Sequence, residues 1–110
     1  MKKGVLVVLL AALAGCASTA PGIAYRPASG GEAWTITAKS KNGVVSDSIT
    51  ILINNEPVAS GTLHELKTKD TFTGTYRGAA VSAECLVKQL TAEHECMVFV
   101  GNERAAQLTF

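Results

Sequence analysis

The chain has 110 residues, with ten Lys and Arg against nine Asp and Glu and a formal net charge of +1. That length accommodates one small domain, and a near-neutral, mixed charge excludes the basic stripe of a nucleic-acid footprint, so no nucleic acid is expected as a partner. Only two histidines, His64 and His94, are present, which narrows the scope for metal and acid–base chemistry.

Met1-Lys2-Lys3 is a short positive segment, and Gly4 to Ala12 is apolar. An apolar run of this length is too short to span a bilayer, which takes about 20 residues, and its charged flank marks a secretory signal peptide over residues 1–15. Next comes Leu13-Ala14-Gly15-Cys16: an aliphatic residue, two small ones and a cysteine. This resembles the lipobox of bacterial lipoproteins, and all four positions match. The resemblance implies cleavage before Cys16, diacylglycerol on its sulfur and a further acyl chain on its new amine. One chain holds a membrane only marginally, and several hold it stably. Ala17 follows, where the enteric sorting rule places Asp in lipoproteins retained at the inner membrane, so the implied location is the periplasmic face of the outer membrane. Loss of Lys2 and Lys3 leaves eight basic and nine acidic residues, a net charge of −1.

Residues 16–31 are rich in Ala, Ser, Pro and Gly and show no period of 2 or 3.6. They read as a lipidated N-terminus and flexible tether, with the domain expected over residues 32–110. From Trp34 onward, β-branched residues alternate with polar ones. Trp34, Ile36 and Ala38 share a phase, as do Ile49, Ile51 and Ile53, then Phe72, Gly74 and Tyr76, then Val81, Ala83, Cys85 and Val87, then Cys96, Val98 and Val100. Turn signals separate them: Lys41-Asn42-Gly43, Asn54-Asn55, Arg77-Gly78 and Gly101-Asn102. The pattern predicts an all-β meander of about seven antiparallel strands, folded as a sandwich or a barrel. Ile51 to Glu56 resembles Val98 to Glu103 at an offset of 47, and Val58-Ala59 resembles Ala105-Ala106. Two such hairpins arise by duplication or independently, since any β-hairpin needs apolar strands around a turn.

With Cys16 lipidated, Cys85 and Cys96 remain as a pair on consecutive predicted strands. A disulfide between them is expected, contributing about 3 kcal/mol in the chain-entropy model. A redox role is disfavoured, because Cys-x-x-Cys spacing is absent and Glu84, Glu93 and Glu95 raise the thiol pKa. Glu93, His94 and Glu95 cannot all converge on a metal, since neighbouring strand residues face opposite ways. No nucleophile elbow and no phosphate-cradling glycine loop occurs. Catalytic, metal and cofactor sites are therefore all expected to be absent. Trp34, Tyr76 and Arg77 are the residue types that anchor interfaces and are the candidate partner-binding residues. The expected function is a lipid-anchored binding or structural module of the cell envelope, docking on an envelope protein or polymer. The alternative is inhibition of a cell-wall-degrading enzyme such as lysozyme. That alternative rests on architectural analogy to small lipidated inhibitors, whose inhibitory loop has no match at Val81-Ser82-Ala83-Glu84.

Overall fold

The computed structural model describes residues 17–28, 30–43, 46–64, 66–88, 91 and 93–110. It contains nine strands: β1 (Ala17–Thr19), β2 (Ile23–Tyr25), β3 (Trp34–Asn42), β4 (Ser46–Ile53), β5 (Glu56–His64), β6 (Lys69–Tyr76), β7 (Ala79–Val87), β8 (His94–Val100) and β9 (Glu103–Thr109). They form two antiparallel sheets, each in meander order. The first runs β1-β3-β4-β5, with β2 also on β3, and the second runs β6-β7-β8-β9. The two sheets pack as a sandwich around one core.

Period-2 patterning supplies that core. Trp34, Ile36 and Ala38 of β3, and Ile49, Ile51 and Ile53 of β4, point inward, facing Val81, Ala83 and Cys85 of β7 and Cys96 and Val98 of β8. Their alternates are polar and exposed or half-buried for most of each strand. The seven strands read from the sequence are β3 to β9. Two of the turns carry the positive φ of a mirror-image hairpin turn at both positions: Asn54 (51°) with Asn55 (67°), and Arg77 (50°) with Gly78 (79°).

The tether over residues 16–31 requires correction. β1 and β2 lie within it, and both pair antiparallel with β3, Ala17 opposite Lys41 and Tyr25 opposite Trp34. Ala20, between them, is buried; its amide donates to Ala38 O at 2.9 Å and its carbonyl accepts from Thr37 Oγ1 at 2.7 Å. The described sheet thus reaches back to Ala17, one residue after Cys16. Three-residue strands are too short to display a period, and Pro21-Gly22 between them reads as linker.

The similar hairpins are equivalent in structure. In β4–β5 the register passes from Ile51 opposite Ala59 to Leu52 opposite Pro57, leaving Val58 in excess. In β8–β9 it passes from Val98 opposite Ala106 to Phe99 opposite Arg104, leaving Ala105 in excess. The bulge therefore falls at the same place in both. Pairing extends the equivalence to β3 and β7: Ala38 opposite Ile51 matches Ala83 opposite Val98, and Ser40 opposite Ile49 matches Cys85 opposite Cys96. Asn54 N bonds Thr35 O as Gly101 N bonds Ala80 O, both at the hairpin turn. At the edges, Tyr25 opposite Trp34 matches Tyr76 opposite Ala79. The sandwich is thus one four-strand meander built twice, with its first edge strand split into β1 and β2.

Candidate functional site

The hairpin registers place Trp34, the turns at Asn54-Asn55, Arg77-Gly78 and Gly101, and the end of β2 at one end of the sandwich. Call it the far end. Ala17, the β3–β4 turn, the β5–β6 turn and Phe110 occupy the other, near end.

Two of the three candidate partner-binding residues are core residues. Trp34 is 7% exposed and Tyr76 is 5% exposed. The Trp34 ring lies edge-on to Tyr76, with centroids 4.9 Å apart, and edge-on to Tyr25 at 5.8 Å. This three-ring wedge closes the far end of the core. Edge-to-face contacts of this kind contribute about 0.5–1.5 kcal/mol each beyond area burial. Arg77 remains exposed; its guanidinium sits 5.1 Å from the Tyr76 ring centroid, a cation–π contact.

Both tyrosines reach from one meander to the other. The Tyr25 hydroxyl donates to Glu103 Oε1 at 2.7 Å, and the Tyr76 hydroxyl accepts from Asn54 Nδ2 at 3.0 Å. Asn54 Oδ1 also accepts the Thr35 amide at 3.0 Å, which fixes the turn. The Tyr25 phenol is held above its ordinary pKa, first by its hydrogen bond to Glu103, then by burial and by the Glu103 charge. In the sequence Tyr25 falls in the stretch read as tether, where it and Arg26 stand as residues able to touch a partner or the domain but with no strand phase to mark them. Its signal was its match to Tyr76, visible only once the register is known.

Beside the wedge opens a cleft of about 330 Å³, lined chiefly by Tyr25, Trp34, Arg77, Ala79, Gly101 and Glu103. Its walls are largely apolar and aromatic, and its charged groups are one guanidinium, Arg77, and one carboxylate, Glu103. An open cleft of this composition can bind a side chain or small polymer segment.

At the near end, Cys85 and Cys96 are directly opposed and joined by a disulfide, with a Cα–Cα distance of 4.1 Å. His94, 4% exposed, bonds Asp47 Oδ2 through Nε2 at 2.9 Å. A carboxylate only accepts, so Nε2 carries the proton. Asp47 and His94 are equivalent positions of the two meanders and touch each other, so they flank the pseudo-two-fold axis. This contact engages the histidine considered for a metal. Among the described residues no three His, Cys, Asp or Glu side chains come together to hold an ion. The Cys16 lipidation site lies outside the described residues. No family model, curated protein or solved structure matches the chain.

Proposed function

We propose that this protein is a non-catalytic lipoprotein of the bacterial outer membrane, anchored through Cys16, whose far-end cleft docks a protein or polymer of the envelope. The observation that carries the reading is that the first described strand and the cleft lie at opposite ends of the sandwich. β1 begins at Ala17, next to the acylated cysteine, and runs at the near end, while the cleft opens at the far end. β3 spans nine residues between the two ends, so the cleft stands roughly 25 Å further from the membrane than the anchor. On this reading the anchor supplies a high effective concentration for a modest interface. The near end fits a bilayer surface: Leu66, at the β5–β6 turn, is 95% exposed, and Lys41 and Lys69 are exposed nearby.

Residue-specific photocrosslinking in intact cells tests this. A probe replacing Asn102, exposed in the far-end β8–β9 turn beside the cleft, should yield one discrete set of adducts with an envelope protein or with peptidoglycan. The same probe at Lys39, on the outer face of the first sheet, should not yield that set, and Cys16→Ala should abolish it. Equal labelling from both positions, or adducts that survive loss of the anchor, would overturn the reading.

A further inference from the structure

We propose that the cleft receives an aromatic side chain, an indole or phenol presented by a partner polypeptide, in the space where the second meander lacks its tryptophan. The inference rests on the docking reading above and names the group that docks. Pairing register makes Ala79 the equivalent of Trp34, because Tyr25 lies opposite one and Tyr76 opposite the other. The pseudo-two-fold relation exchanges the two tyrosines and carries the Trp34 ring onto a position where the chain supplies only a methyl group. The neighbours change in the same sense. Thr35 becomes Ala80, Asn54 becomes Gly101 and Ile53 becomes Val100. All four smaller residues line the cleft. The cleft is therefore not a casual surface fold but the void left by four large-to-small replacements at one place.

What remains around the void suits an aromatic ring. Trp34 packs between Tyr76 and Tyr25, and the symmetric position keeps Tyr25 as a wall. Arg77 stands at the rim and offers its guanidinium to a second π-face. Glu103 uses one carboxylate oxygen for Tyr25, leaving the other to accept an indole N–H or a phenol O–H. An aliphatic side chain would offer neither a π-face to Arg77 nor a donor to the second oxygen of Glu103. The main chain itself leaves room for a guest here, since a Cβ added at Gly101 would meet no atom within 4 Å.

The test is an amide NMR titration of the isotope-labelled, acylated protein in detergent micelles with N-acetyltryptophanamide. Saturable shifts confined to Ala79, Ala80, Gly101 and Glu103 are expected, with a dissociation constant on the order of millimolar, as for a fragment of this size. N-acetylleucinamide should bind at least about tenfold more weakly, since it has no π-face for Arg77 and no donor for Glu103. Ala79→Trp should remove the binding by filling the void from within. Ala80→Leu, at an exposed position, should weaken it several-fold and serves where the larger substitution disturbs folding. Equal binding of the leucine probe, shifts dispersed over other surfaces, or no shifts at all would overturn the inference. If the probe fails while far-end crosslinks at position 102 persist, docking stands and its aromatic chemistry falls. If those crosslinks vanish too, the docking reading falls with it.

Discussion

The two meanders share their register, their bulge and the turn beside it, and among their many side-chain differences two groups sort by end. At the far end the first meander is filled, by Trp34, Thr35 and Asn54, where the second is hollow at Ala79, Ala80 and Gly101. At the near end the second is stapled by Cys85 and Cys96, where the first holds Ser40 and Ile49. Ser40 is buried and shares a 2.6 Å hydrogen bond with Ser18 of β1, a polar closure in place of a covalent one. The half that gives up packing around the cleft is thus the half whose two central strands are covalently joined. A shared backbone scaffold with local differences in side-chain size separates holding the fold from opening a site.

The largest effect should come from emptying the filled half. Trp34→Ala removes the ring between Tyr25 and Tyr76, and an aromatic-to-alanine change in a core costs about 3–5 kcal/mol. Urea unfolding would measure it, and a loss below about 1 kcal/mol would mean that the wedge does not close the core. Next is the staple. Replacing Cys85 and Cys96 by alanine should cost about 3 kcal/mol. The converse variant, Ser40→Cys with Ile49→Cys, places two cysteines at directly opposed positions of the first sheet. They should oxidise to a second disulfide, seen as the absence of free thiol by mass. Persistent free thiol would contradict the equivalence of the two pairs.

Smaller effects probe the seams between the meanders. Asp47→Ala leaves the buried His94 ring nitrogen without its partner, which costs about 1–3 kcal/mol. Asp47→Asn restores an acceptor through its amide oxygen and should recover part of that. Gly74→Ala should cost a similar amount, because a Cβ there collides with the Val58 carbonyl oxygen of the facing sheet edge. Its equivalent by register, Ile23, is 38% exposed. Ile23→Ala should shift stability by only about half a kcal/mol. A larger penalty at Ile23 than at Gly74 would reverse the assignment of the tight and loose edges.

Legibility in the sequence followed residue spacing. β3 to β9 were readable because apolar residues alternate over most of a strand between Asn- and Gly-containing turns, and the Cys85–Cys96 pairing followed from their common phase. β1 and β2 were not readable. Their six residues contain no repeat of a period, and what orders them is pairing to β3, a contact between distant residues. The structural repeat was visible only where side chains are alike, at Ile51 to Glu56 and Val98 to Glu103. Where the copies diverge, as Trp34 does from Ala79, only register reveals the correspondence. The cleft was invisible for that reason: no motif marks it, and it is made by small residues standing where large ones stand in the other copy. Of the three residues chosen by type beside a turn or strand start, Arg77 is exposed, whereas Trp34 and Tyr76 are core.

The smallest effect is a pH dependence that distinguishes the two ends. The Tyr25 phenol is raised above 10.0 by its bond to Glu103, its burial and the Glu103 charge. A raised value means that the folded state keeps the proton longer than the unfolded chain. The stability contributed at this contact is therefore complete below about pH 10 and is lost as pH rises through the higher folded value. Absorbance titration should show a tyrosine ionising late, and Glu103→Gln should bring it earlier by removing the charge while retaining an acceptor. At the near end Asp70 shifts the other way. Its carboxylate bonds Lys67, at 3.1 Å, and the Thr71 amide, at 2.9 Å, which together hold its pKa below 3.8. Its contribution is present above that value and is lost as pH falls through the lower folded one. The pair is surface-exposed and screened, so its effect on unfolding should be small and should diminish with added salt. The alkaline loss at Tyr25 should respond less to salt, because its leading cause is a part-buried hydrogen bond. Thermal melts at high and low pH in low and high salt would separate the two. Equal salt sensitivity at both limits would mean that the far-end contact is as solvent-screened as the near-end one, and that Tyr25 does not close the wedge.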